Sequence, residues 1–241
     1  MGNKELQDEN LRLARENVTY RKRLEVLLAD RSDELADEVH SHHVTLDNLR
    51  KALGATIEAM ARTVEMRDPY TAGHQRRVAD LARAIATAMS LEGDAREAIR
   101  MAASIHDIGK VAIPAEILSR PRRLTESEFS LVREHARFGY ELLSPIDFPW
   151  PVAAIVLQHH ERLDGSGYPK GISGDEIRME ARILAIADVV EAISSHRPYR
   201  PALGLDAALQ ELADRRGELY DAEAVDACIR VFRDDGFQFK R

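Results

Sequence analysis

The chain has 241 residues, 44% of them hydrophobic, enough for one good core with material left over, so one globular domain plus an appendage is expected. A formal net charge of -7 argues against a DNA or RNA polymer, or an anionic membrane surface, as partner. The lone Cys228 cannot close an internal disulfide, no stretch approaches the ~20 apolar residues of a membrane span, and the charged start lacks the apolar region of a signal peptide, so a cytoplasmic protein is expected.

From Lys4 to about Lys51 there is no proline, and Leu6, Leu13, Tyr20 and Leu27 recur at seven-residue steps among charged positions, as in a coiled-coil seam. Leu35, Val39, Leu46, Leu49 and Leu53 fit a shifted register, with the polar Asp30-Arg31-Ser32-Asp33-Glu34 between; such a discontinuity changes the winding locally. A single solvated helix is the simplest reading. A parallel stalk gives the leucines somewhere to go, and we read 1–50 as a coiled-coil signalling stalk that makes a homodimer and 51–241 as the functional domain. His40, His42 and His43 lie in the stalk and read as surface or seam residues.

After Gly54 the pattern becomes an Ala-rich amphipathic helix to Met66, and Pro69 and Gly73 mark a bend. His74 then opens a helix through Val78, Leu81, Ile85 and Met89. A further helix from about Asp94 carries Ala98, Met101, Ala102 and Ile105 inward and ends at His106-Asp107-Ile108-Gly109-Lys110. Thr125, with Glu128 three residues on, caps a helix whose apolar stripe is Phe129, Val132, Ala136 and Tyr140, with His135 beside it. A helix from Val152 ends at Gln158-His159-His160-Glu161. Adjacent histidines diverge by about 100° on a helix, so they meet one ion only if the helix end lets them converge, or else serve neighbouring ions.

The glycine-rich loop over 162–171 follows and includes Gly167-Tyr168-Pro169. Asp188 then sits in the apolar run Ile183, Leu184, Ile186, Ala187, Val189 and Val190, where an unpaired carboxylate is expensive. Arg197-Pro198-Tyr199-Arg200 comes next, and the remainder, Asp206 to Phe232, reads as structural amphipathic helix with Cys228 buried in it. No strand-like alternation of useful length occurs, and the fold class is all-α.

His74, His106, Asp107, His135, His159, His160 and Asp188 all lie at helix ends or against apolar stripes. Imidazole and carboxylate without thiolate point to iron, with manganese the alternative, and not to structural zinc. Seven ligands exceed what one ion takes while keeping a place for water, so two divalent ions bridged by a carboxylate are expected, with phosphoester hydrolysis as their natural chemistry. Lys110, Arg197 and Arg200 would bring positive charge to the phosphate.

In this order, the motifs resemble the HD-GYP family of the HD phosphohydrolase superfamily, from about Lys51 to the C-terminus. The resemblance implies a helical-bundle HD domain, a bi- or trinuclear metal centre, and hydrolysis of cyclic di-GMP to pGpG and, in some members, GMP. It assigns His74, His106, Asp107 and Asp188 to one ion and His135, His159 and His160 to a second, with Asp107 bridging. His106, Asp107 and Lys110 would be catalytic. Lys110, Arg197 and Arg200 would contact phosphates, with Gly167, Tyr168 and Pro169 forming a substrate loop. Tyr70 stands where members with a third metal carry a glutamate, which implies two ions, and Glu191 stands where an aspartate is usual. Two alternatives remain open: an HD-superfamily enzyme acting on another nucleotide, and a non-catalytic module binding a cyclic dinucleotide or a diguanylate cyclase. The resemblance also suggests an upstream sensor or receiver domain, with the stalk as its link to the hydrolase.

Overall fold

The computed structural model describes residues 2–67, 73–120, 122–196 and 202–239. Among these every regular element is a helix, apart from an isolated bridge between Arg216 and Tyr220, so the all-α expectation holds. The chain divides into two units, Met1–Leu53 and Gly54–Arg241.

Over 3–53 the first unit is unbroken helix, part of α1 (Asn3–Glu65). Its long side chains find no cover within the chain: Leu6, Leu13, Tyr20 and Leu27 are 52%, 48%, 65% and 58% exposed. Between them run exposed ion pairs one turn apart, such as Arg12 with Glu9 and Lys51 with Asp47, each contributing no more than about 0.5 kcal/mol.

The second unit has a core. Ile57, Ala61 and Val64 from the end of α1 are buried in it. Helices α2 (His74–Ala88), α3 (Gly93–Ile105), α8 (Met179–Ser194) and α10 (Ala222–Arg233) pack on one another. α7 (Val152–Gln158) lies on α3 and α8, α6 (His135–Leu143) on α7, and α9 (Leu205–Asp214) on α8. The packing follows from apolar spacing. On α2, Val78, Leu81, Ala82 and Ile85 make one helix stripe and are wholly buried. On α8, Ile183, Leu184, Ile186, Ala187 and Val190 are also wholly buried, each larger side chain contributing about 1.5–3 kcal/mol. The helix that carries Asp188 is therefore held firmly.

Two expectations need correction. The helix opening at Thr125 does not run on to Tyr140: it is split into α5 (Glu126–Arg133) and α6, with Glu134 between. Its stripe is divided too, since Ala136 is buried while Phe129 and Tyr140 are both 38% exposed. The stretch from Asp206 to Phe232 is two helices, α9 and α10, parted by a turn in which Gly217 adopts φ +75°, a left-handed conformation that glycine takes without steric cost. Short turns fill the region after Asp107: a 3-10 turn over Ile108–Ala112 and α4 (Ala115–Leu118).

Candidate metal centre

Each histidine reaches the centre by a local device. His106 follows the last residue of α3 and His159 the last residue of α7, where helix carbonyls lack backbone partners. Their Nδ1 atoms bond the carbonyls three residues back, Ala103 at 2.8 Å and Val156 at 2.5 Å. His135 does the same to Val132 at 2.7 Å, where α5 ends at Arg133 and α6 begins. A ring that donates from Nδ1 keeps the lone pair on Nε2, so all three rings present the atom that binds metals.

His74 uses a side chain instead. Its Nδ1 bonds Glu191 Oε2 at 2.5 Å, and Glu191 Oε1 accepts from Arg77 Nε and Nη2 at 2.8 and 2.6 Å and from Ser195 Oγ at 2.7 Å. The start of α2 is held by Glu65, whose carboxylate accepts from Gly73 N at 3.0 Å and Gln75 N at 3.4 Å.

The seven candidate residues fall into overlapping clusters whose ligand atoms lie within 4.8 Å of one another: His74, His106 and Asp188; His135, His159 and His160; and, joining them, His106, Asp107 and His159. Asp107 faces both ways. Its Oδ2 lies 3.8 Å from His74 Nε2 and 3.7 Å from His106 Nε2, while Oδ1 lies 3.5 Å from His135 Nε2. Asp188 Oδ1 stands 3.3 Å from His74 Nε2 and 3.9 Å from His106 Nε2. The two adjacent histidines converge past the end of α7, their ring centroids 4.0 Å apart.

Glycine makes the second cluster possible. A Cβ on Gly109 would stand 1.9 Å from the His135 carbonyl oxygen and 2.5 Å from Gly139 N, so the turn after Asp107 fits against α6 only without a side chain. A Cβ on Gly167 would strike Glu161 Cα and Arg162 N, both at 2.4 Å. The Gly167-Tyr168-Pro169 loop folds back on His160 through the bond from Tyr168 N to the His160 carbonyl (3.2 Å), and Glu161 Oε1 accepts from Lys170 N at 2.8 Å. This brings the Tyr168 ring to 4.7 Å from that of His160.

The electrostatics divide the same way. Burial works against a charge on His74, but hydrogen bonds to Asp188 and Glu191 outweigh it and lift the imidazole to about 9. Burial, followed by the positive neighbours, pushes His159 down to about 3 and holds His160 well below the usual range; His135 is lowered by burial first. Asp107 and Asp188 stay ionised despite burial, through Lys110 and the histidines for the former and His74 for the latter. Burial raises the Tyr168 phenol, which keeps its proton.

Lys110 stands beside the cluster with Nζ 2.8 Å from Asp107 Oδ2. Arg197, Arg200 and Tyr70 lie outside the described residues. The expected set omits Glu191 and Arg77 as supports. Their signal was spacing: Arg77 lies three residues after His74 and Glu191 three after Asp188, each one helical turn along the same face.

The arrangement fits divalent cations. Five rings and two carboxylates converge, three of the rings with lowered basicity, and His135 Nε2 and His159 Nε2 face each other at 3.3 Å.

Comparison with known proteins agrees with this geometry. A cyclic di-GMP phosphodiesterase response regulator of Xanthomonas campestris is 45% identical over 177 residues, 73% of this chain and 47% of that protein. A 3'3'-cGAMP-specific phosphodiesterase of Vibrio cholerae is 37% identical over 181 residues, 75% of this chain and 39% of that protein. The chain thus spans about half, or less, of the length of these relatives. Among solved structures, a HDG"Y"P protein from Bdellovibrio bacteriovorus shares the fold, with a TM-score of 0.55 and 18% identity, over 66% of this chain and 51% of that one. Residues 58–224 match the family described as HD domain, and the chain belongs to that family.

Proposed function

We propose that the chain carries the hydrolase of a cyclic di-GMP phosphodiesterase, opening cyclic di-GMP to linear pGpG, with further cleavage to GMP as a second step. The observation that carries this reading is Asp107, whose two oxygens face two separate histidine clusters. His74, His106 and Asp188 would hold one divalent ion and His135, His159 and His160 a second, with Asp107 bridging; iron is the first choice and manganese the alternative. When bound, such a pair supplies a nucleophile drawn from water and a clamp for phosphate oxygens.

The chain's own residues do the rest. Uncharged His135, His159 and His160 keep their lone pairs directed inward. Lys110 places a positive charge at the rim of the cluster, and Arg197 and Arg200 would add theirs to the phosphates. Tyr168, protonated and packed on His160, walls the second cluster and helps to keep water out.

The relatives' names favour a cyclic dinucleotide over a mononucleotide, and the Vibrio protein makes 3'3'-cGAMP the second reading. The test is metal analysis of the purified chain together with product chromatography after iron or manganese is restored. We expect about two ions per chain and pGpG from cyclic di-GMP. Consumption of mononucleotides alone, or failure to retain any metal, would overturn the reading.

The proposed domains are the stalk at 1–50 and the hydrolase at 51–241. The exposed leucines of the first unit suit a parallel homodimer, and sedimentation should find dimers at micromolar concentration. The relatives' greater length, and the response regulator among them, support an upstream sensor or receiver domain. No helix among the described residues is long and apolar enough to cross a membrane. A cytoplasmic location goes with the proposed substrate, a bacterial second messenger.

A further inference from the structure

Arg133 closes α5, two residues before His135, and the clusters above make no use of it. Its guanidinium carbon lies 4.4 Å from the centre of the Phe129 ring and 5.6 Å from that of Tyr168. Tyr168 in turn stands 4.7 Å from His160. A planar cation is thus one aromatic ring away from the second cluster. Its Nε is buried with no hydrogen-bond partner, and its ion pair with Glu126 is long, 4.0 Å from Nη1 to a carboxylate that is 86% exposed. Arginine on a helix surface ordinarily turns its donors to water or to a carboxylate. An orphaned Nε beside two rings costs free energy that packing alone does not require.

We propose that Arg133 reads the base of the substrate, donating in bidentate fashion to a purine with two adjacent acceptors, the O6 and N7 of guanine, while Phe129 and Tyr168 flank the plane. This rests on the cyclic dinucleotide reading above. Two features favour a base over a second phosphate. The flanking rings suit a flat ligand, and the Glu126 carboxylate beside Nη1 repels another anion while tolerating a neutral acceptor pair. Adenine offers N7 but puts a donor where guanine has O6, so the same fork rejects it. Arg133 is therefore a specificity-determining residue, bound to the substrate through a group remote from the bond that breaks.

The experiment compares kcat/KM for cyclic di-GMP and cyclic di-AMP in the metal-loaded full chain and in the variants R133M and R133K. R133M keeps the apolar stem against Phe129 and removes the fork; R133K keeps the charge but cannot bond in bidentate fashion. The wild type should prefer cyclic di-GMP. R133M should lose about ten-fold or more of that preference through a raised KM for cyclic di-GMP, and R133K should recover only part of it. Metal content equal to that of the wild type marks each variant as folded at the centre. An equal loss on both dinucleotides would make Arg133 a phosphate ligand and overturn the assignment, as would an unchanged ratio. A wild type that cuts neither dinucleotide would overturn the proposed function, and this inference with it, before any variant is measured.

Discussion

The two halves of the centre are made of the same imidazole groups and differ in what holds them, a carboxylate at His74 in one and only backbone and packing in the other. In the half built on His74, His106 and Asp188, His106 rests on the Ala103 carbonyl but carboxylates position His74: Asp188 and Glu191 bracket it and raise it to about 9, and Arg77 fixes Glu191. In the half built on His135, His159 and His160, Asp107 acts on His135 and Asp188 on His159 and His160, but burial outweighs both carboxylates and drives the rings toward the neutral form. Backbone carbonyls and the absence of a side chain at Gly109 hold them in place. The difference teaches where each half should fail. One should respond to loss of charge, the other to loss of close packing.

The largest expected effect comes from the residue both halves share. Asp107→Asn should lower kcat by about a thousand-fold or more and reduce bound metal in both halves, read by steady-state kinetics and elemental analysis. Retention of activity within ten-fold would break the bridging reading.

Two substitutions sharpen the comparison by separating the halves. Gly109→Ala forces a methyl into the His135 carbonyl oxygen, costing about 1–3 kcal/mol in stability and displacing the second cluster, so bound metal should fall to about one ion per chain. Glu191→Ala should do the converse, weakening manganese affinity in the first half about 10–100-fold while the second half binds as before, as read by calorimetric titration. If both variants lost the same ion, the division between charge and packing would be wrong.

The smallest effect concerns the helix that delivers His135. Thr125 and Glu128 form a reciprocal cap on α5, and Thr125→Ala should cost about 1 kcal/mol in thermal unfolding. Glu128 is held near 2 by the Thr125 backbone bond and Arg122, below its ordinary 4.5. Its depressed value means that its stabilisation is present above pH 4.5 and is lost as pH falls toward 2. Melting temperature should drop across that window in the wild type and less in Glu128→Gln.

Much of this was legible in the chain because helix periodicity is local. The cap at Thr125, the end of α7 at Gln158 and the burial of Cys228 follow from spacing and residue type. The break at Glu134 was not legible. Phe129, Val132, Ala136 and Tyr140 keep a helical spacing across it, and no proline or glycine marks it. At the interruption His135 bonds the Val132 carbonyl, a contact made with the ring buried in the site. Glu191 carried a sequence signal in its distance from Asp188, but its partners His74 and Arg77 lie more than a hundred residues away, at separations of 117 and 114.

By itself the sequence determined that the chain is helical, that its first fifty residues carry leucines at heptad-like steps, and that seven metal-competent side chains stand at helix ends or against apolar stripes. Those are consequences of composition and of a repeat close to the helical turn. Tertiary structure alone decided that Asp107 faces two clusters, that the adjacent His159 and His160 converge past a helix end, and that Gly109 must have no side chain. Each depends on the approach of segments distant along the chain, and pattern within one segment does not specify the distance to another.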